Sequence, residues 1–494
     1  MIEQVYWYTR GQADLAPPLA GNIEADAVVI GGGVAGLAAA QWLREEAGLD
    51  VVLLEAHFCG AGATGKSSGF ITPDSELELH QLARRFGDAD AKFLWDSACS
   101  GVEQIRHNID RLAIACDRLQ ADSLYVANSR SSVSSIRTEH DTHQRLGFPS
   151  RFYEESELPP VIGTSTYHAA LRTYDTFSIN GYLYAQGLKH ALMKQGVRVF
   201  ENSAAVEIAP HGAQTAHGTV HARLVLICLD RYAPNLALTP TDNYHAQTFL
   251  ILSEPLDETT RRRIFPEQPL LVWDTDLVYQ YFRPTADHRL LVGGSQLRYT
   301  YRRHKSHGEN SAVHALVHYA REKFPFLSET RFTHYWPGMI GVTKDLLPLA
   351  GRSAQVPSHF YAMCSAGLPW STLAGRVAAQ QAVEGTTPLD QFFAPSRAFN
   401  PLEPLQPLLR KPATFAVSHY YSKNFEKGHA DQIARQQRYV RAGLWVTAGI
   451  TVGLLAGMLI KKGRRTKQPE RQTLRKRKGP STFRRRAYSQ LKPG

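Results

Sequence analysis

Gly31, Gly33 and Gly36 stand in the run IGGGVAG as a G-x-G-x-x-G turn, and Glu55 follows the third glycine by nineteen residues. These residue types at this spacing can hold a dinucleotide. The first glycine permits a tight turn, the second lets backbone approach a pyrophosphate, and the third lets a helix pack closely, so the phosphates sit on the helix N-terminus. An acid at the position of Glu55 can accept from the two hydroxyls of an adenosine ribose. The motif by itself does not separate one dinucleotide from another. The elements that must position it are legible on either side: a β-branched run at Val28, Val29 and Ile30, an Ala/Leu-rich helix, and a second apolar run from Val51 to Leu54.

Two further groups could do chemistry. Residues Cys59 to Pro73 carry Gly60, Gly62, Gly65 and Gly69 interleaved with hydroxyls and Lys66, a loop whose backbone donors can face a phosphate, a polyol or a heteroaromatic ring. Downstream, Arg283 follows Tyr281 at period two on a predicted strand, so the two share a face. Arg283 is the candidate for gripping a substrate carboxylate in a two-pronged contact, with an exposed strand residue as the alternative. Trp370 beside Gly367 is either a wall of the site or a core residue. His314, His318 and Glu322 fall at helical spacing, the pattern of a solvated helix face, and no metal is assigned.

The surrounding pattern predicts two amphipathic helices over 80–119, a strand over 123–128, a polar helix over 129–147 and a helix over 182–195. Strands are expected at 197–201 and 205–208, with a pair of strand signals over 219–229. From 247 to 295 the signal turns to β, with runs at 248–252, 270–273, 278–283 and 290–293 that predict an antiparallel sheet. A helix is expected at 314–324. The stretch 334–351 reads as Gly/Pro-punctuated, and a strand at 360–364 leads into Gly367 and a helix at 372–384. The aromatic cluster Tyr6-Trp7-Tyr8 precedes a Pro-Pro turn and reads as an arm packed on the body.

Taken together, these stretches resemble the amino-acid oxidase (DAO) superfamily of FAD-dependent flavoproteins, in particular its gamma-glutamylputrescine oxidoreductase and glycine oxidase types. The likeness rests on Tyr6-Trp7, GGGVAG with Glu55, GATGKSSGF (Gly62 to Phe70), YFRPTADHRLLVGG (Tyr281 to Gly294), and WPGMIGVTKDLLPLAG with CSAGLPWSTLAG. It implies an α/β fold with a Rossmann-like FAD-binding domain (25–80, 176–240 and 335–392) and a second α+β substrate domain on an antiparallel sheet (81–175 and 241–334). It also implies FAD contacts at Gly31, Gly33, Val34, Ala35, Gly36 and Glu55, at Ala63, Thr64, Lys66, Ser67, Ser68 and Gly69, and at Val206, Gly338, Gly367 and Leu368. Lys66 and Ser67 stand where the family loop commonly has Arg and Asn. Gly338 aligns near the cysteine that bonds flavin in monomeric sarcosine oxidases, and the loop has no histidine, so noncovalent FAD is expected. The implied activity is oxidation of a C–N bond in a small amine or amino acid, as an oxidase or a quinone-linked dehydrogenase, with Tyr281 and Arg283 at the substrate. A noncatalytic flavoprotein adaptor and an oxidase of a modified RNA nucleotide are the alternatives.

Composition bounds the rest. The 494 residues, 43% hydrophobic and 20% charged, suit two or three globular domains. Five cysteines without a C-x-x-C pair argue for a reducing compartment and against a disulfide framework or zinc site. The net charge of +11 is unevenly spread: residues 461–494 hold fourteen Lys or Arg against the single acid Glu470, leaving −2 on the first 460. Inference about anionic lipid or RNA therefore belongs to that tail alone.

Residues 1–24 form the arm, and 393–441 a Pro-rich linker and polar helix. Residues 442–460, AGLWVTAGITVGLLAGMLI, are nineteen without a charge; at ~1.5 Å each they reach about 28 Å, enough for a bilayer core. Gly449, Gly453 and Gly457 give this predicted membrane helix a doubled G-x-x-x-G face for self-association. With no export signal in the first fifteen residues, the catalytic body is expected in the cytoplasm, associated with a bacterial inner membrane. The positive-inside tendency also holds the basic tail in the cytoplasm. One spanning helix cannot satisfy both, so a shallow or re-entrant insertion, or a tail crossing against its charge, is expected.

Overall fold

The computed structural model describes residues 1–397 apart from 75, 233–242, 277–278, 300–308, 344 and 366, and of 243–246, 295–299 and 309–310 the backbone alone. The chain divides into two units, Met1–Gln437 and Arg438–Gly494. The predicted membrane helix, its glycine face, the basic tail and all but the start of the Pro-rich linker lie outside the described residues. Among those described, no helix is long and apolar enough to cross a membrane.

The nucleotide half is built on strands Ile23–Ile30, Val51–Leu54, Arg198–Phe200, Thr219–Ile227 and His359–Met363, parallel to one another where they pair, with Leu349–Arg352 antiparallel to His359–Met363. Every residue of Val51–Leu54 and the last four of Ile23–Ile30 are buried, because a parallel sheet is covered on both faces. Residues 219–227, predicted as a pair of strands, form one continuous strand that serves both the parallel core and a short antiparallel extension, Gly212–Gln214 and Glu207–Ala209. Helices Val34–Glu45 and Leu368–Glu384 cross on this sheet. A Cβ at Gly375 would lie 2.0 Å from the Ala35 carbonyl oxygen, so the crossing demands glycine there.

The other half is a nine-stranded sheet in the order Ile2–Glu3, Phe332–Thr343, Asn243–Ser253, Leu290–Tyr299, Tyr281–Pro284, Leu270–Asp274, Asp122–Val126, Ala169–Thr173 and Ser150–Glu154. It is antiparallel except at two joints, where Ile2–Glu3 and Asp122–Val126 run parallel to Phe332–Thr343 and Leu270–Asp274. The N-terminal arm thus supplies a strand. The Gly/Pro-punctuated stretch is the twelve-residue strand Phe332–Thr343, so residues 335–343, grouped with the nucleotide domain in the sequence, pair in the large sheet. Its Pro337 lies beyond the two-residue partner Ile2–Glu3, on an edge where a missing N–H is tolerated. Alternation then separates the faces. Phe249, Ile251, Phe282 and Val292 join the core under helix Glu309–Lys323, whereas Thr248, Leu250 and Tyr281 face the opposite side. Helices Leu79–Phe86, Asp88–Arg111 and Val133–Leu146 pack beside both halves.

A buried ion pair joins the arm to the nucleotide half. Lys189 Nζ lies 3.2 Å from Glu201 Oε2, and both side chains are fully buried. Glu201 also accepts from the Ala16 N–H at 2.7 Å and the Cys59 N–H at 2.6 Å, and Lys189 donates to the Asp14 carbonyl. Removing one member strands the other charge in the core, a loss of about 3–5 kcal/mol. Lys189→Met should therefore lower the urea midpoint of the flavin-loaded protein by that equivalent, while Lys92→Met, from the exposed Lys92–Asp96 pair, should cost less than about 1 kcal/mol. Equal midpoints for the two variants would contradict this account.

Candidate active site

The helix Val34–Glu45 begins at Gly33, and Gly31 turns into it at φ +111°. A Cβ on Gly36 would meet the Gly31 carbonyl oxygen at 1.9 Å, so the third glycine acts through packing and does not line a cavity. Thr64 Oγ1 accepts from the Val34 N–H at 3.0 Å, tying the glycine-rich loop to the helix N-terminus. Around this turn lies a cavity of about 330 Å³, lined by Gly31, Gly33, Val34, Ala35, Glu55, Ala63 and Thr64 among others. Glu55 accepts from the Gly32 N–H at 2.7 Å and the His57 N–H at 2.9 Å. Burial raises its pKa above the usual carboxylate value against those two bonds. Val206 does not line this cavity: it is 57% exposed and its N–H donates to the Gln214 carbonyl. Ala204 and Ala205 are at the wall instead.

A second cavity of about 640 Å³ is lined by Lys66, Ser67, Ser68, Gly69, Tyr281, Gly338, Gly367 and Leu368. Ala63 and Ile340 line both, so the two are contiguous. Gly367, at φ +86°, starts helix Leu368–Glu384, which brings a second helix N-terminus to the same region. Two helix N-termini with their free N–H groups favour an anionic cofactor. The Cβ-free turn at Gly31, the ribose-side acid and the adjoining chamber bordered by the 66–69 loop fit FAD.

The 61–69 loop is held by side chains from three distant segments. Tyr8 donates to the Ala61 carbonyl at 2.9 Å, Trp336 Nε1 to the Lys66 carbonyl at 3.0 Å and Trp7 Nε1 to the Ser67 carbonyl at 2.8 Å. Arg283 Nε donates to the Ser68 carbonyl at 2.6 Å. The remaining Arg283 donors reach Ser178 Oγ and the Pro284 and Ile179 carbonyls at 2.9–3.1 Å. Arg283 is 2% exposed and lines neither cavity, which corrects its expected role at a substrate carboxylate. Period two does put it on the face of Tyr281, but the strand there runs beneath the close approach of Gly69 to Ile179, where backbone carbonyls take up the guanidinium. Burial pulls its pKa down, and it remains a cation.

Tyr281 lines the larger cavity. Its ring is 5.6 Å from that of Phe70, and Gly293 opposite makes room, since a Cβ there would come within 2.3 Å of the ring. Its hydroxyl shares a hydrogen bond with Thr248, and burial lifts its pKa to about 12, keeping it a donor. Trp370 is a core residue whose Nε1 donates to the Pro73 carbonyl at 2.8 Å. His314, His318 and Glu322 are exposed on their helix.

Sequence reasoning missed the acids of this cavity: Asp74, Glu76 and Glu78 on one segment, Asp274 and Asp276 on another. The signal was present as acid at alternate positions in Asp74-x-Glu76-x-Glu78 and Asp274-x-Asp276. It also treated Trp7 and Tyr8 as packing only, whereas both grip the loop. Burial raises Asp274 to about 6 and moves Asp74 upward as well. Behind them Glu139 accepts from His80 Nδ1 and His143 Nε2 at 2.6 and 3.2 Å. Its burial favours the neutral acid, but those two histidines more than reverse the effect and hold it below the usual carboxylate range.

Comparison with known proteins agrees with this geometry. Over 392 residues the chain is 26% identical to the probable oxidoreductase OrdL of Haemophilus influenzae, covering 77% of this chain and 88% of that one. Over 435 residues it is 27% identical to gamma-glutamylputrescine oxidoreductase of Escherichia coli, covering 85% and 98%. The fold superposes on glycine oxidase from Geobacillus kaustophilus with a TM-score of 0.65 at 19% identity, covering 76% of this chain and 99% of that one. L-amino acid deaminase from Proteus myxofaciens gives 0.62 at 14%, covering 78% and 96%. The DAO family, described as FAD dependent oxidoreductase, matches residues 26–381, more than half of the sequence. The chain belongs to the DAO family of FAD-dependent oxidoreductases.

Proposed function

We propose that this chain oxidises the C–N bond of a small amine or amino acid to an imine. The observation that carries the reading is the 640 Å³ chamber, closed by the aromatic face of the large sheet and opening onto the nucleotide cavity. When bound, FAD supplies the acceptor for a hydride from the carbon beside nitrogen, and water then splits the imine into a carbonyl compound and ammonia or a smaller amine. The chain's own part is to orient a neutral amine nitrogen, to exclude bulk water with Tyr281, Phe70 and Leu250, and to fix the loop at the cofactor. FAD is held noncovalently in this reading, because Gly338 offers no side chain and no Cys or His is among the described residues lining the larger cavity. Acid precipitation should then leave all flavin in the supernatant.

The charge-free stretch 442–460, between Arg441 and the basic tail, supports a membrane-associated enzyme with its catalytic body in the cytoplasm. Gly449, Gly453 and Gly457 would allow two such helices close contact. Deleting 442–494 should move the protein from the membrane pellet to the supernatant with its flavin retained. Retention in the pellet would remove this part of the reading.

Under anaerobic conditions, one equivalent of a productive amine or amino acid should bleach the flavin absorbance, and failure across a broad panel of both would overturn the proposal. Arg283→Lys should weaken FAD binding by about tenfold or more, because each carbonyl left unpaired in the interior costs roughly 1–3 kcal/mol. Flavin occupancy after gel filtration reads this. An arginine that instead gripped substrate would leave occupancy intact and raise KM for carboxylated substrates alone.

A further inference from the structure

Asp74 lines the larger cavity on a segment pinned against the helix that starts at Gly367. A Cβ on Gly367 would lie 3.7 Å from the Asp74 carbonyl oxygen, and the carbonyl of the preceding Pro73 accepts from Trp370 Nε1 at 2.8 Å. The other acids of the chamber are engaged. Glu78 caps helix Leu79–Phe86, and Glu76 accepts from the Tyr279 hydroxyl at 3.2 Å. Asp276 accepts from Asn128 Nδ2, and Asp274 from the Gln280 and Asp276 N–H groups and the Tyr319 hydroxyl.

Asp74 differs from them. Thr72 donates to its carboxylate, but Oδ2 is buried with no hydrogen-bond partner among the described residues. A buried carboxylate oxygen in that state has a lone pair for a donor that arrives with a ligand. Burial raises the affinity of Asp74 for a proton above that of an ordinary carboxylate. Of the charged groups on helix Val133–Leu146, His143 draws it down and Glu139 pushes it up. Cys99 on helix Asp88–Arg111 and Tyr125 on strand Asp122–Val126 sense its charge, and Lys66, Glu76 and Glu78 line the same chamber. A carboxylate raised by burial suits proton transfer near neutral pH better than one of ordinary acidity.

We propose that Asp74 takes the proton that a substrate ammonium gives up before its C–N bond is oxidised. The inference rests on the C–N oxidation proposed above and names the group that readies the substrate for it. The N–H bond of the ammonium breaks, the proton passes to Asp74 Oδ2, and the nitrogen keeps the electron pair. That pair forms the C=N bond when hydride leaves the neighbouring carbon, so one proton stays with the protein and two electrons depart with the hydride. An alkylamine with a pKa of about 10 is neutral in only about one molecule per thousand at pH 7. An acceptor inside the chamber lets the abundant protonated form serve as substrate.

The test uses the full-length, FAD-loaded protein, with glycine, L-proline, n-butylamine and 1,4-diaminobutane as probes. The rate of anaerobic flavin bleaching by the fastest of them is followed against pH. At about pH 7, Asp74→Asn should slow bleaching by about 10²–10⁴-fold, the usual effect of losing a positioned base. That deficit should shrink by about tenfold for each pH unit gained toward the amine's own pKa, where the free amine needs no acceptor. Asp74→Glu should recover part of the rate at neutral pH. Thr72→Val removes a donor to the carboxylate, so it should move the rising limb of the profile to higher pH, and it carries the test if the Asn variant does not hold flavin. In the infrared difference spectrum, a protonated carboxyl band should appear when substrate reduces the unsubstituted protein and should be missing from Asp74→Asn. No deficit, or one of the same size at every pH with the carboxyl band retained, would overturn the role of Asp74 and leave the C–N oxidation standing. No bleaching of the unsubstituted protein by any probe at any pH would remove both.

Discussion

Everything at the site depends on where four consecutive-loop carbonyls go. The carbonyls of Ala61, Lys66, Ser67 and Ser68 are taken by Tyr8, Trp336, Trp7 and Arg283, which come from the N-terminal arm and from two strands of the large sheet. A glycine-rich loop has the most backbone entropy to lose and the fewest side chains to hold it. Fixing it from outside, through its carbonyls, sets the loop in one conformation without placing side chains where a cofactor must lie. Arg283 is the strongest of these ties, because a buried guanidinium satisfied only by neutral acceptors gives up several hydrogen bonds if the loop moves. The same tie couples the two halves of the molecule, since it joins a strand of the large sheet to the loop that follows the nucleotide turn.

The large sheet works as a partition. One pleat face is closed by helix Glu309–Lys323 and is largely apolar, and the other carries Thr248, Leu250 and Tyr281 into the chamber. Because successive side chains alternate, a one-residue slip in register would exchange the two sets. The bulge between Gln247 and Phe249 marks where this strand departs from regular pairing, next to Thr248 and its Tyr281 partner.

The two contiguous cavities are lined by largely different residues. Helix Val34–Glu45 brings its N-terminus to the smaller cavity and helix Leu368–Glu384 brings a second to the larger one, which favours phosphate and an electron-rich cofactor. Asp74, Glu76, Glu78, Asp274 and Asp276 line the larger cavity, and burial moves Asp74 and Asp274 upward.

Much of the nucleotide half was legible in the sequence, because its chemistry is written locally. The turn Gly31-x-Gly33-x-x-Gly36, the flanking apolar runs and Glu55 all lie within one βαβ span, where spacing alone fixes geometry, and the glycines at 338 and 367 line the second cavity. The Gly/Pro content of 332–343 hid a strand, since an edge position tolerates what a central strand would not. What only the tertiary structure decided is how residues far apart in the chain share their hydrogen bonds. The sequence can put Arg283 on the face of Tyr281 but cannot say that the carbonyls of Ser68 and Ile179, 215 and 104 residues earlier, will consume its donors. Nor can it say that two acidic segments separated by some two hundred residues face one chamber. Periodicity reports a direction relative to the local backbone, and only packing determines which distant partner lies in that direction.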